Sequence, residues 1–144
     1  MRALLDISFL AAAFDPDHIM HGRADSWWLE NKAKGWASCP LTENGVIRVM
    51  ANILYARKQR VDFSALVRLF QQFVEDSDHQ FWPDAVSLLN QRLFDFKHLV
   101  AARQMTDCYL LALAVENNSR LVTFDQGISL KAVPGASARN LVVL

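Results

Sequence analysis

Four acidic residues stand at positions where a folded chain could bring them together: Asp6, Glu43, Asp107 and Asp125. Asp6 and Asp125 follow short apolar stretches of the kind that form buried strands. Glu43 and Asp107 fall at the starts of predicted helices. Gathered carboxylates repel one another unless a cation lies between them, and hard divalent cations such as Mg²⁺ prefer oxygen ligands. The pattern therefore predicts a metal site suited to a substrate that carries phosphate.

Each acid also has a purely structural interpretation. A single Asp or Glu in the first turn of a helix is commonly a cap or a partner of the helix dipole, which suits Glu43 and Asp107. It suits Asp6 less, because a carboxylate between the apolar residues 3–5 and 7–14 would lose its solvation without a partner. The set of four is more specific than any one member.

Other catalytic patterns are missing from the sequence. No two histidines have the i, i+4 spacing of a metal-binding helix, and we interpret them as surface or helix-end residues. They are His18, His21, His79 and His98. The five glycines are scattered singly, so neither a phosphate-binding loop nor a dinucleotide fingerprint is present. The four acids thus carry the catalytic hypothesis.

The elements that must position these acids follow from hydrophobic periodicity. Short apolar runs predict strands at residues 3–5, 36–39, 79–82, 120–123 and 140–144. Longer patterns predict helices at residues 7–14, 21–34, from 40 onward, 63–74, 84–93 and 108–117, the last capped by Thr106 or Asp107. In the second helix we expect Trp27, Trp28 and Leu29 to face inward.

Alternation of such strands with helices is typical of a parallel sheet that is covered on both faces. We therefore predict a three-layer α/β/α sandwich with a central parallel sheet, formed by residues 1–144 as one domain. Ligands of these sheets bind beyond the carboxyl ends of the strands. The predicted acids fall at that edge.

Composition excludes several classes of protein. The chain of 144 residues is 52% hydrophobic and 21% charged, so it can bury a core and is not disordered. Fifteen basic and fifteen acidic residues give zero net charge, which argues against broad electrostatic capture of nucleic acid or membrane. Two cysteines without a recognisable leader predict reduced thiols in a cytoplasmic protein.

Four segments carry a resemblance to a known family: Met1–Phe14, Cys39–Gly45, Met105–Ala114 and Leu121–Gly127. In order, spacing and residue type they resemble the PIN domain, in particular the VapC toxins of prokaryotic toxin–antitoxin pairs. The resemblance implies a five-stranded parallel sheet between helices. It also implies a ribonuclease that depends on Mg²⁺ or Mn²⁺.

The same resemblance implies roles for individual residues. It places Asp6, Glu43, Asp107 and Asp125 in an acidic pocket, with Asp6 and Asp107 as the expected metal ligands. Ser8 and Thr123 fall where the family has small supporting polar side chains. Two departures stand out: Ser8 replaces a common Asn, and Gly127 replaces a further acid. We therefore expect one ion held by the protein.

Two sets of residues are candidates for binding partners. Arg48 and Arg103, together with the basic stretch 57–60, could hold RNA phosphates or could be solvated helix ends. Trp27, Trp28 and Phe73 belong either to the core or to an interface. The resemblance implies a homodimer and a small antitoxin protein that blocks the pocket.

Two rival functions remain open from the sequence. A phosphatase of the haloacid dehalogenase type also begins with an Asp after the first strand, but it requires a second Asp where this chain has Ser8. A PIN-like binding module without activity would be favoured if one of the four acids were missing, and none is.

Overall fold

The computed structural model describes all 144 residues and contains five short strands. They are β1 (Ala3–Leu5), β2 (Trp36–Ser38), β3 (His79–Phe81), β4 (Arg120–Thr123) and β5 (Leu141–Val143). Five α-helices connect them: α1 (Ile7–Phe14), α2 (His21–Asn31), α3 (Pro40–Ala56), α4 (Phe63–Glu75) and α5 (Gln104–Glu116). Short 3-10 helices lie at residues 32–34, 96–98, 130–132 and 138–140.

The strands form one parallel sheet in the order β3-β2-β1-β4-β5. The chain first adds strands on one side of β1 and then crosses to add β4 and β5 on the other side. Leu5 of β1 pairs in register with Val122 of β4. The crossing makes the crevice beyond the carboxyl ends of β1 and β4 the expected ligand site of this topology.

Successive side chains of the strands enter cores on opposite faces of the sheet. Leu5 and Val122 belong to a cluster that α1, α2, α3 and α4 cover, whereas Leu4 and Leu121 belong to a cluster that α5 covers. Residues 108–114 of α5 are all buried, which explains why this helix is apolar on nearly every face. The predicted three-layer α/β/α fold is confirmed.

The predicted helix at residues 84–93 is wrong, because this segment is a loop of turns. Side chains there bond to nearby backbone: the Ser87 hydroxyl accepts from the Leu89 N–H, and the Asn90 side chain accepts from the Arg92 N–H. Such local bonds compete with the helical hydrogen-bond ladder. Apolar spacing alone had favoured a helix.

Two finer predictions also need correction. Helix α5 begins at Gln104 rather than at Cys108, so Asp107 lies in its first turn and is not its cap. Leu29 is 61% exposed, whereas Trp27 and Trp28 pack against the core. Three consecutive residues span about 200° of a helix, so they cannot all face inward.

None of the helices combines the length and the apolar character that a bilayer crossing requires.

Candidate active site

Asp6 is the most deeply placed of the four acids. It follows β1 directly and caps α1, where its Oδ1 accepts a 2.8 Å hydrogen bond from the backbone N–H of Phe9. The Ser8 hydroxyl donates to the same oxygen at 2.8 Å, and the Thr123 hydroxyl donates to Oδ2 at 2.5 Å. Only 3% of Asp6 is exposed. Burial raises the pKa of Asp6, although the three hydrogen bonds oppose the rise.

The two supporting hydroxyls tie Asp6 to the segment after β4. The Thr123 hydroxyl accepts from the backbone N–H of Asp125 at 2.9 Å, and the Ser8 hydroxyl accepts from the backbone N–H of Phe124 at 3.1 Å. The Asp125 carboxylate in turn accepts from the Gly127 N–H at 2.6 Å. Ser8 and Thr123 thus join Asp6 to the segment after β4 through hydrogen bonds.

Asp107 approaches the same crevice from the first turn of α5. Its pKa is raised to about 7, first by burial and then by the negative charges of Asp6 and Asp125. Asp125 also lies within hydrogen-bonding reach of the protonated Asp107 carboxyl, which raises the pKa further. The nearby Arg103 guanidinium opposes this rise. Three of the four predicted acids thus interact with one another.

A cavity of about 440 Å³ opens over Asp107 and Asp125, and the buried Asp6 lies behind its wall rather than in it. Ser8 and Arg103 also line the cavity, so Arg103 lies close to the acids. Its wall also contains His18, Val49 and Phe124, which sequence reasoning did not assign to the site. His18 lies in the turn between α1 and α2, and nothing in the neighbouring sequence indicates that this turn reaches the cavity.

Glu43 occupies a neighbouring position rather than the wall of this cavity. Its Oε1 accepts a 2.6 Å hydrogen bond from the buried Ser38 hydroxyl, which also lies 2.8 Å from Nε2 of His79. Glu43 and His79 line a separate cavity of about 330 Å³ between α3 and α4. Glu43 is therefore close to the end of β2, while the three aspartates gather beyond β1 and β4.

The basic candidates divide into two groups. Arg57 binds Asp15 through two hydrogen bonds of 3.0 and 2.9 Å, so it serves the scaffold rather than a ligand. Arg48 is exposed on α3 and has no acidic partner within ion-pair distance. Among the aromatic candidates, Trp28 packs 4.4 Å from Phe73 between ring centroids, and both pack against the core.

The donor set of the cavity fits a hard divalent cation. It offers the carboxylate oxygens that such a cation prefers, and Arg103 is the only Lys or Arg side chain in its wall. In their present positions the acidic side chains do not yet form a ligand cluster of three or more. The residues that could contribute oxygens to such a cation are Asp6, Asp107 and Asp125.

Comparison with known proteins gives a consistent result. The family model of the PIN domain matches residues 3–134. The chain is 42% identical over 144 residues to Ribonuclease VapC44 of Mycobacterium tuberculosis, and the match covers all of both chains. It is 35% identical over 135 residues to Ribonuclease VapC39 of the same organism, a match that covers 94% of this chain and 96% of that protein.

A solved structure shows the same fold. The crystal structure of PAE2754 from Pyrobaculum aerophilum superposes with a TM-score of 0.54 at 22% identity, covering 94% of this chain and 82% of that chain. At this identity the likeness is one of fold.

Proposed function

The chain belongs to the PIN domain family, and from that premise we propose that it is a metal-dependent endoribonuclease of the VapC toxin type. The observation that carries the proposal is the meeting of Asp6, Asp107 and Asp125 at the crevice between β1 and β4. The similarity to proteins named as VapC ribonucleases over the full chain supports it.

Asp6 and Asp107 are the residues that we assign to holding Mg²⁺ or Mn²⁺. When bound, such an ion polarises the scissile phosphodiester and lowers the pKa of a water that attacks it. Asp6 is fixed for this role because Ser8, Thr123 and the Phe9 N–H hold both of its oxygens in place. Its orientation therefore does not depend on the substrate.

The remaining site residues orient water and substrate. We assign Asp125 and Glu43 either to ligating the metal or to orienting the waters bound to it, Asp125 from inside the cavity and Glu43 from the end of β2. Arg103 lines the cavity and carries the charge that suits a phosphate, and Arg48 is a second, exposed cation on α3. Gathering negative charge in one pocket leaves the rest of this neutral chain net positive, as an RNA-binding surface requires.

The biological role that we propose is that of the toxin in a type II toxin–antitoxin module. On this proposal the chain is a single PIN domain over residues 1–144, acts in the cytoplasm as a homodimer, and is inhibited by a cognate antitoxin protein. The support is the full-length similarity to VapC proteins. The burial of Trp28 and Phe73 against the core leaves other surfaces to form the dimer.

RNA cleavage with defined metal content tests the proposal. Purified protein is incubated with RNA and Mg²⁺ or Mn²⁺, with and without chelator, beside the variants Asp6→Asn and Asp107→Asn. We expect cleavage by the wild type only when the metal is present, and a loss of cleavage in both variants. Cleavage that survives both substitutions, or that ignores the chelator, would overturn the assignment.

A control variant and a second readout sharpen this test. Asp25→Asn changes an exposed aspartate on α2 that does not line the acidic cavity, and it should cleave RNA like the wild type. Calorimetric titration with Mn²⁺ measures binding without catalysis, and it should detect an ion in Asp25→Asn but not in Asp6→Asn. Expression of the wild type, but of neither pocket variant, should arrest growth.

A further inference from the structure

A third cavity, separate from the one that Glu43 and His79 line, lies beside the acidic cavity. It has a volume of about 640 Å³, which is within the range of about 300–1,000 Å³ of sites for small organic groups. The first turns of α3 and α5 border it through Leu41 and Met105, and the loop after β3 forms its remaining wall. Thr106 lines both this cavity and the acidic one. A group bound here would therefore lie next to the reacting phosphate.

The walls of this cavity are aliphatic and partly open to solvent. Leu88 and Met105 are each 38% exposed, and Leu89 is 89% exposed. Exposed aliphatic side chains that border a concave surface are typical of a binding site. The loop that supplies Leu88 and Leu89 is the segment at residues 84–93, which the chain does not fold into a helix.

Two polar groups stand out against this apolar lining. The buried Tyr109 hydroxyl makes no hydrogen bond of normal geometry, although the Asp84 carboxylate and the Val86 backbone lie close to it. Asp84 lines the same cavity and forms no ion pair. Burial, and next the charge of Asp84, raise the pKa of Tyr109 to about 12, so the hydroxyl stays protonated. The cavity thus offers one carboxylate and one neutral hydroxyl.

We propose that this cavity receives one unstacked base of the RNA, and that Asp84 and Tyr109 make guanine the preferred base. The inference rests on the proposed ribonuclease function, because the shared Thr106 wall places the base beside the cleaved phosphate. Guanine presents two adjacent donors, N1–H and the N2 amino group, which one carboxylate accepts together. The other three bases present no such pair of donors to a carboxylate.

Apolar walls and a few polar groups are the general means by which proteins hold an unstacked base. The aliphatic lining would pack against the faces of the base, while the exposed Asp84 carboxylate accepts hydrogen bonds from its edge. The buried Tyr109 hydroxyl would gain the partner that it lacks in the free protein. An arginine side chain from a protein has a similar donor pair, and the test below separates the two ligands.

Binding is measured without cleavage, using the wild-type protein in chelator and fluorescence anisotropy at fixed salt. The probes are short single-stranded oligouridylates that contain one central guanosine, adenosine or cytidine, or no substitution. We expect about tenfold tighter binding of the guanosine probe, the discrimination that one bidentate contact supplies. Asp84→Asn should reduce this preference to about twofold or less, because an amide has only one acceptor oxygen.

Two further variants complete the comparison. Tyr109→Phe should weaken binding of the guanosine probe several-fold while its thermal unfolding stays close to that of the wild type, since the hydroxyl makes no hydrogen bond of normal geometry within the protein. Asp25→Asn removes an equal charge from the exposed face of α2 and should keep the full preference.

Equal affinity for all four probes, or a preference that survives Asp84→Asn, would overturn the proposal. Binding of N-acetylarginine amide that depends on Asp84, without any preference among the RNAs, would also overturn it and would assign the cavity to a protein partner. Wild-type cleavage in Mg²⁺ is scored separately. A guanosine preference without cleavage would contradict the ribonuclease function but not the base site.

Discussion

Helix α1 carries a buried aspartate at each end, and the structure holds the two in opposite ways. Asp6 and Asp15 are each 3% exposed. Asp15 pairs with Arg57, whose guanidinium, hydrogen-bonded to both carboxylate oxygens, holds the pKa of Asp15 below its usual value. Asp6 receives only uncharged donors and has acidic neighbours, and burial raises its pKa.

The contrast shows that burial alone does not separate a functional acid from a structural one. Asp15 lies at the negative end of the helix dipole, where a carboxylate needs a cation, and Arg57 supplies it. Asp6 lies at the positive end and is held firmly, yet no side-chain cation neutralises it. The charge that is missing at Asp6 is the one that a metal ion would bring.

The largest expected effect is on catalysis. Asp6→Asn should lower the rate of RNA cleavage about 100-fold or more, because the proposed function makes Asp6 a metal ligand. Asp15→Asn should leave the rate nearly unchanged below its melting temperature. Initial rates on one RNA in Mg²⁺ measure both. Equal losses in the two variants would mean that the two ends of α1 do not differ in function.

The next effect is on stability, where Asp15→Asn should be the more damaging of the two substitutions. Asp15→Asn should lower the free energy of unfolding by about 1.5–3 kcal/mol, since it removes the buried negative charge and one of the two oxygens that accept from the Arg57 guanidinium. Asp6→Asn in chelator should leave the stability unchanged or increase it, because the substitution relieves repulsion among acids. Urea unfolding at neutral pH measures both values. A large destabilisation by Asp6→Asn would show that its hydrogen bonds outweigh that repulsion.

A smaller effect tests how Asp6 is oriented. Thr123→Val keeps the shape of a fully buried side chain but removes the hydroxyl that donates to Asp6 and accepts from the Asp125 N–H. We expect cleavage to fall about 10-fold to 100-fold, as is common for groups that orient metal ligands. Thr123→Ser retains the hydroxyl and should keep most of the activity. If both variants were equally impaired, packing rather than the hydroxyl would be responsible.

The smallest expected effect is a difference in acid sensitivity. Because the pKa of Asp15 is lowered on folding, its contribution to stability is present above the unfolded value of about 3.9 and is lost as the pH falls through the folded value. The wild type should therefore lose stability more steeply than Asp15→Asn below about pH 4, by at most about 1.4 kcal/mol per pH unit. Thermal melts from pH 5 to about pH 2.5 measure the two slopes. Parallel curves would contradict the pairing with Arg57.

The sequence predicted the parts of the fold that depend on local pattern. All five strands and the helices α1, α3 and α4 lie where the apolar runs indicate, because burial on one or both faces dictates those runs. The loop at residues 84–93 could not be predicted from periodicity, since Ser87 and Asn90 divert the backbone by local hydrogen bonds.

The site was predictable to the extent that it lies at strand ends. Asp6 and Asp125 follow β1 and β4, so the sheet order alone brings them together. His18 lines the acidic cavity because of the way the turn after α1 folds back. The position of Glu43 depends on the hydrogen bond that it accepts from the Ser38 hydroxyl. The spacing of residues along the sequence predicts neither contact.

The hydrogen bond between Thr123 and Asp6 joins residues that are 117 positions apart. Contacts over such a separation form late, because a long segment of chain must be ordered before its ends can meet. During synthesis, β1 leaves the ribosome early but has no β4 to pair with until the chain has been made through Thr123. A nascent or truncated chain therefore lacks the acidic pocket, and whatever the pocket does begins only once folding is nearly complete.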